Sequence, residues 1–197
     1  LPLKLDVGDA DAAFETVKRL DAEVGGFDLV IANAGVGEET RVKRLKWDSV
    51  RRMIDVNIAG ATATLLAVTP GMVERGRGHL VGVSSLAGEL PLPSNATYCA
   101  TKAYLSMFLD SLRLDVGKHG IAVTCLQPGF VKSEMTAKNK PGSMPFLLET
   151  DDAVDRMGRA IARREQTFGF PWQMTSLVGV ATSLPRPARQ AILKRLR

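Results

Sequence analysis

The chain has 197 residues, of which 45% are hydrophobic and 6% aromatic, and its net charge is +5. This apolar content excludes an intrinsically disordered protein, and the length favours one domain with a mainly aliphatic core. The positive charge does not by itself indicate a nucleic-acid surface, because no acid follows Glu165 and the excess basic residues lie near the end of the chain, at Arg186, Arg189, Lys194, Arg195 and Arg197.

In the first half of the chain, short apolar runs alternate with helical patterns. The predicted elements are, in order, the end of a strand at Leu1–Val7, a helix that starts at Asp9 and stops at Gly25-Gly26, a strand at Phe27–Ala32, a long helix at about Lys46–Glu74 and a strand at His79–Ser84. Glycines that follow the helices supply the expected stop signals.

The second half continues the alternation. Its predicted elements are a helix at about Asn95–Val116, a strand at Ile121–Leu126, a polar loop to about Glu149, a helix capped by Thr150 or Asp151 that ends at Arg164, a short strand at Thr167–Phe170, and two helices at Trp172–Leu184 and Ala188–Leu196. Strands that alternate with helices of this length predict an α/β fold with a parallel sheet and right-handed crossovers.

The clearest chemical motif is Tyr98-Cys99-Ala100-Thr101-Lys102, inside a predicted helix. Residues i and i+4 of a helix lie on one face, so the Tyr98 phenol and the Lys102 ammonium can act together. A free tyrosine has a pKa near 10 and is a poor base at neutral pH. An ammonium about 4 Å away, at an effective dielectric constant near 20, stabilises the phenolate by about 4 kcal/mol. The motif therefore predicts a lowered phenol pKa, suited to general acid–base catalysis.

Two further polar residues, Ser85 and Asn57, lie at positions that are compatible with a catalytic role. Ser85 precedes Tyr98 by thirteen residues and ends the predicted strand at His79–Ser84. Parallel α/β sheets bind ligands at the carboxyl ends of their strands, so the Ser85 hydroxyl can hold a substrate oxygen beside the phenol. Asn57 interrupts an apolar helical pattern, and its amide can hold a water that links the lysine to solvent. Each residue alone also has an ordinary structural explanation.

These residues belong to a longer series. The chain resembles the short-chain dehydrogenase/reductases in five motifs, in that family's order and at its spacing, over roughly residues 1–170: Asn33-Ala34-Gly35, Asn57-Ile58-Ala59-Gly60, Ser84-Ser85-Leu86-Ala87-Gly88, Tyr98 through Lys102, and Pro128-Gly129-Phe130-Val131-Lys132-Ser133. The resemblance implies a three-layer Rossmann-like fold and an oxidoreductase that uses NAD or NADP. Its reaction would interconvert an alcohol and a ketone or aldehyde by hydride transfer.

The resemblance also implies a role for each matching residue. Tyr98 would be the general acid or base, Lys102 would lower its pKa and bind the nicotinamide ribose, Ser85 would orient the reacting oxygen, and Asn57 would hold a water of the proton relay. The other matching residues would line the cofactor: Asp6 and Val7 at the adenine, Asn33, Ala34 and Gly35 at the centre of the sheet, Pro128, Gly129 and Val131 at the nicotinamide, and Ser133 near its carboxamide or the phosphates. No metal is expected.

The chain departs from the family at its start. The family's fold begins with a strand and a TGxxxGxG turn, where a helix N-terminus holds the cofactor pyrophosphate, and the 197 residues contain no such turn. We therefore expect strands 1 and 2 of the family to be missing from the sheet, with an open apolar edge at Leu29, Val30 and Ile31. The residues that select NAD or NADP belong to the same segment, so the sequence does not show this preference.

Three explanations for this departure remain open. The favoured one is a fragment of a longer enzyme, which the first residue, a leucine, supports. The others are a natural short form that acts as a non-catalytic binding or signalling protein, and a gene start assigned too late. Without the pyrophosphate cradle, residues 1–197 alone are expected to bind NAD(H) or NADP(H) very weakly and to be inactive as a dehydrogenase.

The remaining expectations concern surfaces. Residues 1–197 are interpreted as one incomplete catalytic domain, in which 172–197 form a helical tail that closes over the site or docks on a partner subunit. A basic amphipathic membrane anchor in this tail is the less favoured alternative. The outer faces of the helices that carry Asn57 and Tyr98 are expected to form a homodimer or homotetramer, with buried positions there or against the sheet at Met53, Ala61, Leu65, Ala103, Met107 and Leu114.

The loop Lys132–Glu149 suggests a medium-sized, partly apolar alcohol or carbonyl substrate. Cys99 and Cys125 are expected to be buried reduced thiols, and His79 and His119, which both adjoin glycines, are interpreted as surface turn residues. The sequence shows neither a signal segment nor a run of 18 apolar residues, which predicts a soluble, cytoplasmic protein. No nucleic-acid partner is expected.

Overall fold

The computed structural model describes residues 2–137, 139–140 and 142–194. Its four strands form one parallel sheet in the order β1-β2-β3-β4. Their bounds are β1 Leu29–Ala32, β2 Gly78–Val83, β3 Ile121–Pro128 and β4 Thr167–Phe170. Each strand thus lies beside the next one in the chain, with helices in the crossovers, which confirms the predicted parallel α/β fold.

The helices begin and end close to their predicted bounds. They are α1 Ala10–Glu23, α2 Trp47–Ile54, α3 Ala61–Leu66, α4 Thr69–Arg75, α5 Ala96–Val116, α6 Thr150–Ala162, α7 Trp172–Ser183 and α8 Arg186–Leu193, with a π-helical turn at Asp55–Gly60 between α2 and α3. Asp9 caps α1 by accepting a hydrogen bond from the N–H of Ala12 at 3.0 Å. The helix α6 has no side-chain cap, so the cap predicted at Thr150 or Asp151 is wrong. Leu196, the predicted end of the last helix, lies outside the described residues.

The sheet separates two apolar layers. On one face, side chains of α3 and α5 pack against β2 and β3 in a core that includes Leu65, Leu105 and Leu109. On the other face, Ala160 of α6 packs against Val81 and Leu126. The register places Leu29 and Ile31 of β1 on this second face, where their side chains are 42% and 43% exposed. Among the described residues β1 pairs with β2 alone, which agrees with the predicted open apolar edge.

The segment before α1 does not form the predicted strand. Residues 2–6 have no regular secondary structure and lead into a turn at Val7 and Gly8, and Leu1 lies outside the described residues. A strand needs a hydrogen-bonded neighbour, and no described strand pairs with this segment. Its anchor is instead a backbone contact, because the Val7 carbonyl lies so close to Gly60 that any side chain there would collide with it.

His79 is not a surface turn residue. It lies within β2, is 5% exposed, and its Nε2 shares a hydrogen bond with Thr124 Oγ1 at 2.8 Å. Burial lowers the pKa of His79 below its usual value, with a smaller contribution in the same direction from Arg164. The prediction failed because Gly78 begins the strand instead of belonging to the preceding turn. His119 is exposed, as predicted.

Helical structure from Trp47 to Arg75 is long and apolar enough, by length and composition, to cross a membrane. The same test is passed by a helix that crosses the core of a domain. Here Leu65, Val68 and Met72 are fully buried against the sheet, which accounts for the apolar composition. Cys99 and Cys125 are buried free thiols, as predicted.

Candidate active site

Asn57 lies in the π-helical turn at Asp55–Gly60, the kind of local widening that often marks a functional site. It is 1% exposed. Its Oδ1 accepts a hydrogen bond from the N–H of Val36 at 2.8 Å, and its Nδ2 donates to the Val36 carbonyl at 2.8 Å and to Thr101 Oγ1 at 3.1 Å. Both amide hydrogens are therefore used in joining the loop after β1 to α5. The amide has no donor left for the water predicted from the sequence.

Lys102 is buried beside this junction, with 4% of its surface exposed. Its Nζ donates a hydrogen bond to the Val83 carbonyl at 2.8 Å, at the end of β2. A Cβ at Gly35 would lie 3.2 Å from Nζ and 3.5 Å from Asn57 Oδ1, so the glycine keeps this space narrow but open. Burial lowers the pKa of Lys102 to about 8. In the part of the chain that the structure describes, Val83 is the ammonium's one hydrogen-bond partner, which leaves two N–H groups available.

Tyr98 lies on the same face of α5, one turn before Lys102. The Lys102 Nζ is 5.9 Å from the centroid of the phenol ring. Burial raises the pKa of Tyr98 above its usual value, and the side chain of Ser85 opposes this rise. The predicted lowering of the phenol pKa is therefore wrong for the protein by itself, because removal of the phenolate from water outweighs the opposing effect of Ser85.

Ser85 joins the carboxyl ends of two neighbouring strands. It is the second residue after β2 and is 7% exposed. Its hydroxyl donates to the carbonyl of Pro128, the last residue of β3, at 3.3 Å, and accepts a hydrogen bond from the N–H of Ala87 at 3.1 Å. This second bond caps the short 3₁₀ turn Leu86–Gly88. Ser85 is thus held at the carboxyl edge of the sheet.

The other predicted residues lie in two groups along the same edge. Asn33 and Ala34 directly follow β1 and line a small pocket with Val7, while the carboxylate of Asp6 accepts a hydrogen bond from the N–H of Gly8 at 2.9 Å.

The second group follows β3. Gly129, next to Pro128, donates its N–H to the Phe170 carbonyl at 2.7 Å, and Val131 pairs with Leu148 in an isolated bridge. Ser133 is exposed in a turn, where its N–H donates to Thr136 Oγ1 at 2.9 Å. Lys138 and Pro141, in the loop expected to contact substrate, lie outside the described residues.

Gly37 is a site residue that the sequence did not reveal. A Cβ at this position would lie 3.0 Å from Met135 Sδ and 3.2 and 3.3 Å from the ring atoms Cδ2 and Cε2 of Tyr98. The loop after β1 therefore packs directly on the phenol ring and on the loop after β3. The available signal was a second glycine two residues after Gly35, which has no meaning until the fold brings Tyr98 beside it.

Replacing Gly37 with alanine is expected to impair catalysis more than folding. The added methyl group cannot fit at these distances unless Tyr98 or the flexible Met135 moves, and misplacement of a reacting group by about 1 Å can cost up to about 100-fold in rate. We expect kcat/KM to fall at least about tenfold, with little change in the unfolding midpoint. The matched control is Gly158→Ala, where an added Cβ meets open space. An unchanged rate would show that the ring's placement does not depend on Gly37.

Residues 1–143 match the family of short chain dehydrogenases. The chain belongs to the short-chain dehydrogenase family. An oxidoreductase of Myxococcus xanthus is 56% identical to it over 196 residues, which are 100% of this chain and 77% of the relative. An oxidoreductase of Mycobacterium tuberculosis is 34% identical over 170 residues, or 86% of this chain and 66% of the relative. The chain thus spans 77% and 66% of the length of these two family members.

Solved structures of the short-chain dehydrogenase family have the same fold. A short chain dehydrogenase from Burkholderia cenocepacia in complex with NADP superposes with a TM-score of 0.82 over 100% of this chain and 80% of its own, at 22% identity. A short-chain dehydrogenase from Sphingobium yanoikuyae in complex with NADPH gives 0.77 over 93% of this chain and 76% of its own, at 24% identity.

Proposed function

We propose that this chain carries the catalytic site of an NAD- or NADP-dependent oxidoreductase that interconverts an alcohol and a ketone or aldehyde. The observation that carries the proposal is the junction of Ser85, Tyr98 and Lys102 at the carboxyl edge of the sheet, where a buried ammonium retains two N–H groups without a partner in the described structure. Membership of the dehydrogenase family supports redox chemistry. Structural relatives in complex with NADP, NADH and NADPH support a nicotinamide dinucleotide.

The residues fit such a cofactor. A buried ammonium with unused donors is costly unless a polar ligand completes its hydrogen bonds, and the lack of a side chain at Gly35 leaves that side of Lys102 Nζ uncovered. The nicotinamide, when bound, gives or takes the hydride. Tyr98 exchanges a proton with the substrate oxygen, and the Ser85 hydroxyl orients that oxygen. Because burial raises the pKa of Tyr98, the phenol is protonated at neutral pH and is ready to donate during carbonyl reduction.

Asn57 acts differently in this proposal from what its motif suggests. Its side chain positions the loop after β1, through Val36, against Thr101 of α5. This contact holds Gly35 and Gly37 close to Lys102 and Tyr98. Asn57 is therefore a positioning residue whose amide is already occupied, and any water at the site would have to use the remaining lone pair of Oδ1 or a backbone group.

An activity screen tests the function. The full-length enzyme is incubated with reduced or oxidised NAD and NADP and a panel of ketones, aldehydes and secondary alcohols, and absorbance of the reduced nicotinamide is followed. We expect turnover of at least one partly apolar substrate, lost in Tyr98→Phe. Cofactor binding by calorimetry with no turnover of any panel member, or turnover that Tyr98→Phe leaves unchanged, would contradict the proposal.

We also propose that a second copy of the chain covers the outer face of α5. Of the six positions expected to be buried, Met53, Ala61 and Leu65 are buried within the protomer. The other three lie on the exposed side of α5: Ala103, Met107 and Leu114. Met107 and Leu114 are 68% and 83% exposed, and large apolar side chains exposed on one helix face are typical of protein–protein contacts.

Charged substitutions on this face are expected to dissociate the assembly. Combining Met107→Glu with Leu114→Asp places two carboxylates where the proposed contact is apolar, which opposes association without disturbing the protomer core. Light scattering after size exclusion should show a dimer or tetramer for the parent and a monomer for the variant. Val154→Asp on α6, where the parent side chain is 54% exposed, is the control and should leave the mass unchanged. A monomeric parent enzyme would refute the contact.

A further inference from the structure

A chain of hydrogen bonds runs behind the active site from the end of β3 to the backbone of Lys102. Gln127, which is 8% exposed, donates from Nε2 to Glu89 Oε1 at 2.6 Å and to Ser106 Oγ at 3.3 Å. Ser106 Oγ lies 2.8 Å from Ser84 Oγ, which in turn donates to the Lys102 carbonyl at 2.8 Å. Gln127, Ser106 and Ser84 are all buried.

The direction of every bond in this chain is fixed. Ser84 has one hydroxyl hydrogen, which goes to the Lys102 carbonyl, so the hydroxyl of Ser106 must donate to Ser84. Ser106 can then only accept from Gln127. A carboxylate accepts and does not donate, which sets Nε2 and not Oε1 of Gln127 toward Glu89. Only a side chain with two N–H donors at position 127 can donate hydrogen bonds to both Glu89 and Ser106.

This series of hydrogen bonds connects the segments that carry the candidate catalytic groups. Glu89 follows the turn Leu86–Gly88 that Ser85 caps, and Gln127 precedes Pro128, whose carbonyl accepts the hydroxyl of Ser85. Ser84 is the neighbour of Ser85 and at the same time contacts α5 at Lys102. Gln127 therefore joins the loop that carries Ser85, the end of β3 and the helix that carries Tyr98.

We propose that Gln127 is a positioning residue of this active site, which places Ser85 against Tyr98 by binding Glu89 and Ser106 together. Its kinetic consequence rests on the proposed dehydrogenase function. The placement itself does not, because it depends on hydrogen bonds between residues of the protein alone.

The first test measures the ionisation of Tyr98 directly. Ultraviolet absorbance is titrated with pH for the enzyme and for its Tyr98→Phe variant, and the difference isolates this phenol. In a Gln127→Leu background, which removes both donors at similar volume, the pKa of Tyr98 should rise because the Ser85 contact that lowers it is weakened. Gln190→Leu, on the exposed side of α8, is the matched control and should change nothing. An unchanged Tyr98 titration in folded Gln127→Leu would overturn the proposal.

A charge exchange provides a second variant in case Gln127→Leu folds poorly. Gln127→Glu alone places two carboxylates at the 2.6 Å contact with Glu89 and should disturb the Tyr98 titration. Adding Glu89→Gln restores a donor–acceptor pair with the roles reversed. The double variant should recover the part of the parent behaviour that depends on the contact between positions 89 and 127, but not the part that depends on the bond to Ser106, because a glutamate at position 127 has no donor for it. If the double variant titrates as the single one does, the link between Glu89 and Gln127 plays no part in placing Ser85.

Kinetics complete the test. Gln127→Leu should lower kcat about tenfold while KM for the cofactor stays within about twofold, since the change misaligns the reacting groups without touching the ribose contacts. The kinetic isotope effect with deuterated cofactor should increase, because hydride transfer becomes more rate-limiting. A loss of active protein alone would lower the rate and leave the isotope effect unchanged, which would count against positioning. No turnover by the parent enzyme would defeat the proposed function, and the Tyr98 titration would still decide the role of Gln127.

Discussion

Replacing Tyr98 with phenylalanine in the full-length enzyme is expected to abolish turnover while leaving cofactor binding nearly intact. The phenylalanine ring still packs against Gly37 and the rest of the site, but the proton that the substrate oxygen must gain or lose has no carrier. General acid–base catalysis contributes about 10²- to 10⁴-fold to a rate, and we expect a loss of this size in kcat. Cofactor affinity, measured by calorimetry, should change by less than about threefold because Lys102 and the backbone are unaltered.

The control for this substitution is the chain's other tyrosine. Tyr104 lies on the outer side of α5, where its ring stacks on Phe108 and its hydroxyl is 3.3 Å from Thr62 Oγ1. Tyr104→Phe removes the same hydroxyl from the same helix and should keep parental turnover. Equal turnover in Tyr98→Phe and the parent enzyme would remove Tyr98 from the mechanism.

Replacing Lys102 with methionine is expected to have opposite effects on stability and activity. The ammonium is buried with one acceptor, and burial lowers its pKa from 10.5 to about 8. At neutral pH the lysine is charged in both states, and the charge is less favourable in the folded protein than in the unfolded chain. Each pKa unit corresponds to about 1.4 kcal/mol. Methionine removes this unfavourable charge but also the hydrogen bond to Val83. We therefore expect it to raise the free energy of unfolding by on the order of 2 kcal/mol. Turnover should be lost together with most cofactor affinity.

The stability that Lys102→Met gains over the parent should decrease as the pH rises. Between pH 8 and 10.5 the unfolded parent binds more protons at this lysine than the folded parent does, so the parent becomes more stable as pH rises through this window. The methionine variant lacks this contribution. Its advantage, measured by denaturant unfolding without cofactor, should therefore be largest below pH 8 and disappear near pH 10.5. Lys118→Met, at an exposed position, should show no such dependence.

Local sequence pattern was sufficient to predict most of the elements. The last strand begins and ends at Thr167 and Phe170, as its short apolar run predicted, and α5 differs from its prediction by one residue at the start. Prediction failed where an element depends on a distant partner. Residues 2–7 have the composition of a strand but pair with none of the described strands, and the glycines near His79 gave no sign that β3 places Thr124 next to its ring.

In the candidate site, too, the features of a single helix could be predicted from the sequence, and those that depend on distant segments could not. The spacing of Tyr98 and Lys102 is a property of one helix, so their association could be predicted from the sequence. The direction of the Tyr98 pKa could not, because it depends on burial by loops from elsewhere in the chain. Likewise, Asn57 contacts Val36 across 21 residues and Gln127 contacts Glu89 across 38. Such pairs join segments whose relative position only the fold determines.

The π-helical turn at Asp55–Gly60 also sets how α2 is rotated about the helix axis relative to α3. A π bulge holds one more residue than the α turn it replaces, which rotates everything on one side by about 100° relative to the other. Met53 before the turn and Leu65 after it are both fully buried, so the two halves face the core only because of this offset. Deleting one residue within the turn would restore an unbroken α-helix and swing Met53 out of the core, whereas most substitutions there would preserve the alignment. The number of residues in this turn, more than their identity, therefore determines which side of α2 faces the interior.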